Sequence, residues 1–244
     1  MSTNVVTNWK NLNLYAELTD IKNTDILFYQ QHPEMVGKKI SAGNPLVKDW
    51  MLLRDYEVQN KYNSIIEDSV AQFPMITARV LKALIVQESR FQPSVINSYG
   101  FVGLCQFGVT SGREEGLIIN NYRDERLDPK MSIMAATRHL NHKYLAIKGN
   151  LDKYQILDNE EIIKFILGSY NGGQGTINYA LNTSKTPQTW VDIYTPVNDF
   201  KRTALYAATK YYFGNIKGND LSIAKYNEIR KYPELITALA AREE

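Results

Sequence analysis

An apolar stripe that closes on an acid sets the strongest constraint on this chain. Leu81, Leu84 and Ile85 precede Glu88 by seven, four and three residues, so on a helix all four share one face. That face is the one a helix buries. The spacing predicts a helix from about Met75 to Arg90, with Pro74 just ahead of it or at its first position. It also predicts a carboxyl group held against apolar side chains, where desolvation disfavours the charged form. A carboxylic acid that keeps its proton near neutral pH is equipped to be a general acid. Taken alone, a carboxylate at a helix end more often reaches out to solvent.

The remaining pattern reads as mainly α. Residues 1 to about 45 are polar and Asn-rich, with room for two short helices. A longer helix begins near Leu46, where Val47, Trp50, Met51 and Val58 recur at helical spacing; Tyr62, Ile65 and Ile66 continue it to a break at Phe73-Pro74. Residues 91 to 127 hold Pro93, Gly100, Gly103, Gly108, Gly112 and Gly116, too many breakers for long regular elements. Asp128 as N-cap with Pro129 as the first helical residue starts a helix expected to reach Ala146 and stop at Gly149-Asn150. Asn159-Glu160-Glu161 opens another, whose acids suit its N-terminal dipole. Its expected buried face is Ile163, Ile166, Leu167 and Tyr170, and it ends at Asn171-Gly172-Gly173. A long helix from Asp199 to Phe213 and a polar helical tail complete the chain. This divides it into an N-terminal helical extension (1–57), a central domain (58–215) and a C-terminal tail (216–244).

Composition excludes several classes. Of 244 residues, 44% are apolar and 22% charged, which is globular rather than disordered or fibrous. A net charge of +2 gives no argument for nucleic acid, which would need a concentrated basic face. Cys105 is the single cysteine, so no intramolecular disulfide forms. No run of eighteen apolar residues offers a transmembrane helix. The first ten residues lack the charged start and apolar core of a secretory signal. His139 and His142 have a spacing that can bind metal, but no third ligand is evident nearby; no metal and no cofactor are expected.

Three short stretches carry chemistry: Glu88-Ser89-Arg90-Phe91, Gly100-Phe101-Val102-Gly103-Leu104-Cys105-Gln106 and Ser169-Tyr170-Asn171-Gly172-Gly173. With Leu127-Asp128-Pro129 between the second and third, they resemble, in order and spacing, the catalytic domain of the soluble lytic transglycosylases, related in fold to goose-type lysozyme. The resemblance covers roughly Tyr62 to Phe213. It departs from the family at Cys105, where methionine is usual, at Phe101 and Ser169, where alanine is usual, and at 199–206, where a later Glu-Thr-x-x-Tyr landmark is not clear.

The resemblance implies a lysozyme-like helical domain. Its implied reaction is cleavage of the β-1,4 bond between N-acetylmuramic acid and N-acetylglucosamine in peptidoglycan strands. It implies Glu88 as the single acid and base, where most glycosidases use two carboxylates. The substrate's own 2-acetamido group takes the second role, and a 1,6-anhydro end results. Tyr170 is implied as a catalytic partner whose hydroxyl orients the acid or meets developing charge. Ser89, Gln106, Asn171 and Gly103 are implied as substrate-binding. Without a secretory signal, delivery to the periplasmic wall is expected from a bacteriophage particle, a lysis system or a secretion apparatus. A hydrolytic muramidase on the same fold and a non-catalytic wall-binding part of a virion are the alternatives.

Overall fold

The structure is a computed structural model that describes residues 60–195 and 199–241. The N-terminal extension 1–57 and the first part of the helix expected from Leu46 lie outside the described residues. The described residues are mainly helical: α1 (Asn63–Val70), α2 (Ala78–Ser89), α3 (Val109–Glu114), α4 (Pro129–Lys153), α5 (Asn159–Gly172), α6 (Gln174–Thr183), α7 (Ala204–Phe213) and α8 (Ser222–Ala241). They contain no strand, only isolated antiparallel bridges such as Val102 with Phe107. The described residues fall into two compact units, one of residues 60–137 with 239–241, the other of residues 138–195 with 199–238.

In the first unit, α2 is the core. Every residue from Val80 to Val86 is buried, and Leu81, Leu84 and Ile85 are wholly inaccessible. Burying each such side chain contributes about 1.5–3 kcal/mol, so a helix whose middle turns are buried all round is stable only as a central element. Its buried cation, Lys82, escapes isolation by donating to Asn60 Oδ1 at 3.2 Å. The helix starts at Ala78, three residues later than the Met75 expected. Thr77 is the N-cap, its hydroxyl accepting from Val80 N at 3.3 Å, and Pro74 belongs to the turn that precedes it. α1 packs against α2. Ser69 Oγ on α1 donates to Thr137 Oγ1 at 2.7 Å.

The start of α4 is as expected. Asp128 Oδ1 accepts from Met131 N at 3.0 Å. Its end is not: the helix passes through Gly149-Asn150 and runs to Lys153. Ile147 and Leu151, four apart and both buried, straddle that pair. Their burial outweighs the roughly 1 kcal/mol that an interior glycine costs.

In the second unit, Asp158 caps α5 by accepting from Glu161 N at 3.0 Å. The buried face centres on Ile162, Phe165, Ile166 and Ser169, whereas Ile163 and Tyr170 are half-buried. The expected face is thus rotated toward Phe165, whose ring meets the wholly buried Trp190 edge-on at 5.3 Å. Gly173 (φ 81, ψ 143) closes α5 and opens α6, a helix beyond those expected from the sequence. The helix expected from Asp199 begins at Ala204 instead. Asp199 caps a 3-10 turn at Phe200–Arg202, and Thr203 caps α7. α8 inserts Ile229 so close to Gly172 that a Cβ there would lie 2.5 Å from the Ile229 side chain.

Candidate active site

Glu88 stands on the last turn of α2, half-buried, beside the buried Ser89. The chain leaves the helix through two successive left-handed residues, Arg90 (φ 52) and Phe91 (φ 61). Each costs about 1–2 kcal/mol without glycine. The cost is offset by packing. Phe91 is wholly buried and stacks on Tyr62, with ring centroids 6.2 Å apart and planes 8° from parallel. The Ser89 hydroxyl donates back to the Ile85 carbonyl at 3.2 Å and so ties off the same turn. A carboxylate carried on a buried helix and followed by an over-determined turn has little freedom to wander.

Gly103 and Gln106 belong to one tight turn. Val102 N donates to Phe107 O at 3.0 Å and Phe107 N to Val102 O at 3.1 Å, closing a loop around them. Gln106, itself left-handed (φ 51), donates through Nε2 to Gly103 O at 2.9 Å and to Val95 O at 3.3 Å. Both amide hydrogens are therefore used inside the protein, and the carbonyl Oε1 remains as its acceptor. Gly103 (φ 83) has a local reason for being glycine. A Cβ there would fall 1.9 Å from the Arg126 carbonyl oxygen.

Cys105 links this turn to the acid. Burial pushes its thiol up to about 12; the Ser132 hydroxyl pulls the other way, and the charge of Glu88 adds to the rise. The Glu88 carboxylate is thus near enough to be felt within the turn that carries Gln106.

In the second unit, Tyr170 and Asn171 occupy the last turn of α5. The Tyr170 ring is half-buried and meets His139 edge-on, centroids 5.3 Å apart. Asn171 Nδ2 donates to Glu228 Oε1 at 3.0 Å, while its Oδ1 is buried with no hydrogen-bond partner among the described residues. His139 is buried against that ring and His142 is exposed. Among the described residues no three His, Cys, Asp or Glu side chains converge as a metal site would require.

What holds these groups is not visible in the sequence motifs. Glu228, far along the chain on α8, is not visible from a motif around Asn171. Asn97 accepts from Tyr99 N at 2.8 Å and from Phe101 N at 3.1 Å, an Asx turn that the Asn-to-Gly run could have signalled. Asp124, Glu125 and Arg126 are the third omission. Glu125 is buried and accepts from Ile118 N at 2.6 Å, with Arg123 Nη2 2.7 Å from its other oxygen.

The family model of the transglycosylase SLT domain matches residues 66–193, more than half of the chain. Among relatives, the membrane-bound lytic murein transglycosylase F of Pseudomonas putida (strain GB-1) is 28% identical over 173 residues, covering 69% of this chain and 33% of that protein. The protein of the same name from Pseudomonas fluorescens (strain Pf0-1) is 28% identical over 163 residues, 65% of this chain and 30% of that one. That of Vibrio cholerae serotype O1 (strain ATCC 39315 / El Tor Inaba N16961) is 25% identical over 169 residues, 68% of this chain and 29% of its own length. The chain spans about a third of the length of the curated relatives it matches.

Proposed function

Because this chain belongs to the transglycosylase SLT domain family, we propose that it is a peptidoglycan lytic transglycosylase with Glu88 as its single acid and base. The observation that carries the reading is the setting of Glu88. It is a half-buried carboxylate at the end of a helix buried from Val80 to Val86, followed by a rigid turn, and its charge is felt at Cys105 in the turn of Gln106.

In this mechanism Glu88 gives its proton to the glycosidic oxygen as the C1–O bond breaks. The carbonyl oxygen of the substrate's 2-acetamido group stabilises C1. The muramic O6 then bonds to C1 and passes its proton to Glu88, which regenerates the acid. No water is consumed and protons balance. Gln106 Oε1 accepts from a sugar hydroxyl or acetamido N–H. Asn171 Oδ1, without a hydrogen-bond partner among the described residues, is suited to accept a hydrogen bond from the glycan. Tyr170 meets the charge that develops in the transition state. Ser89, already bonded to Ile85, keeps acceptor capacity on its hydroxyl.

The relatives are named as membrane-bound murein enzymes. In this chain no described helix is long and apolar enough to cross a membrane. The substrate proposed is the glycan strand of the wall itself. Release of soluble fragments from purified murein by the wild-type protein, and its loss in Glu88→Gln with an unchanged fold, is the expected result. Wild-type rates in Glu88→Gln would remove Glu88 from the mechanism.

A further inference from the structure

Arg126 touches both rims of the turn that carries Gln106, and we infer that it is a positioning residue for glycan binding, acting through Gln106 and braced by Asp124. The inference rests on the transglycosylase reading above. Its basis is a set of bonds within the first unit. Arg126 is only 7% exposed. Its Nε donates to Asp124 Oδ1 at 2.9 Å and its Nη2 to Asp124 Oδ2 at 2.6 Å, a two-pronged ion pair. The remaining nitrogen, Nη1, donates to the carbonyls of Gly100 at 3.2 Å and Phe107 at 3.1 Å.

Those two carbonyls flank the Gly103–Gln106 turn. The backbone of Arg126 holds the middle of the same segment, because its carbonyl occupies the space a side chain at position 103 would need. One residue therefore fixes the turn at three points. Two consequences follow from the chemistry. Only a guanidinium has the planar fork that serves a carboxylate and two carbonyls together; a lysine ammonium is a point charge. And because Gln106 sits in a left-handed conformation, the turn has a cheaper backbone state to relax into once the fork is removed. The Gln106 Oε1 would then leave the position a sugar needs, and small displacements of such a group are costly. The hydrogen bond from Arg126 chiefly accounts for an Asp124 carboxyl held below the ordinary range, in keeping with a persistent pair.

The test measures binding rather than turnover. The full chain carrying Glu88→Gln, which blocks chemistry, is titrated with an N-acetylglucosamine tetramer by calorimetry. Arg126→Lys and Asp124→Asn, chosen because Arg126→Ala is the variant most at risk of not folding, are each expected to weaken binding about tenfold. Gln106→Ala is expected to do the same. The double variant Gln106→Ala/Arg126→Lys should bind no more weakly than Gln106→Ala alone, because Arg126 acts through that side chain. A purely structural role would instead give additive losses. Unchanged affinity in Arg126→Lys, or additive losses in the double variant, overturns the inference. Murein cleavage by the wild-type chain is read in parallel. Cleavage by the wild-type chain with binding unaffected by the substitutions sinks the inference alone, whereas no cleavage by the wild-type chain and no binding by Glu88→Gln sink the transglycosylase reading and the inference with it.

Discussion

Two helix ends carry the candidate chemistry, and they are built in opposite ways. The end of α2, which presents Glu88 and Ser89, is closed by Arg90 and Phe91 in the left-handed region without a glycine. The end of α5, which presents Tyr170 and Asn171, is closed by Gly173, which adopts φ 81 at no steric cost. The first closure is strained and held by the burial of Phe91 against Tyr62. The second is relaxed and held by side-chain reach, Asn171 to Glu228. Strain persists only where the surroundings over-determine it. The acid thus sits where the fold spends packing to fix a backbone, and the tyrosine where it does not.

Substitutions at each end sharpen or break this contrast, from the largest effect down. Glu88→Gln should lower the rate of murein cleavage by about 10²- to 10⁴-fold, the usual worth of a general acid, with the melting temperature nearly unchanged. Phe91→Ala should cost about 3–5 kcal/mol in urea unfolding, because it removes the packing that sustains the left-handed turn. A cost below about 1 kcal/mol would mean the turn does not depend on that ring. At the other end, Tyr170→Phe should lower kcat about tenfold with KM little changed, and a pure KM effect would assign the hydroxyl to ground-state binding.

Gly173→Ala should cost about 1–2 kcal/mol, from backbone strain alone, since a Cβ there meets nothing within 4 Å. The smallest effect concerns Cys105. Its folded thiol keeps a proton up to about 12, against an ordinary value of 9.0. The unfolded thiol ionises first as pH rises, so folding stability should fall by about 1 kcal/mol between pH 8 and pH 10. Comparing unfolding curves of wild type and Cys105→Ala over that interval checks it: the variant should lose less.

The sequence carried the local half of this picture. The Leu81, Leu84, Ile85 and Glu88 spacing located the buried face because helical periodicity is a property of neighbours. Asp128-Pro129 located the start of α4 because capping is local too. What escaped was set by partners distant in the chain. Gly149 reads locally as a stop, and only packing against the rest of the fold shows that Ile147 and Leu151 are buried and carry α4 onward to Lys153. Nothing near Asn171 names Glu228, and the Gly173 that ends α5 equally begins α6. Glycine 103 could be read from sequence as an opening for glycan. Its packing against the Arg126 carbonyl is a reason that only the fold reveals.

The central claim is that one carboxylate, Glu88, cleaves the strand without water. Mass spectrometry of the fragments released from purified murein tests it most directly. The account predicts muramic ends lighter by one water than a hydrolysed reducing end, formed by wild type and absent with Glu88→Gln. Fragments bearing hydrated reducing ends would contradict it and make the chain a hydrolase.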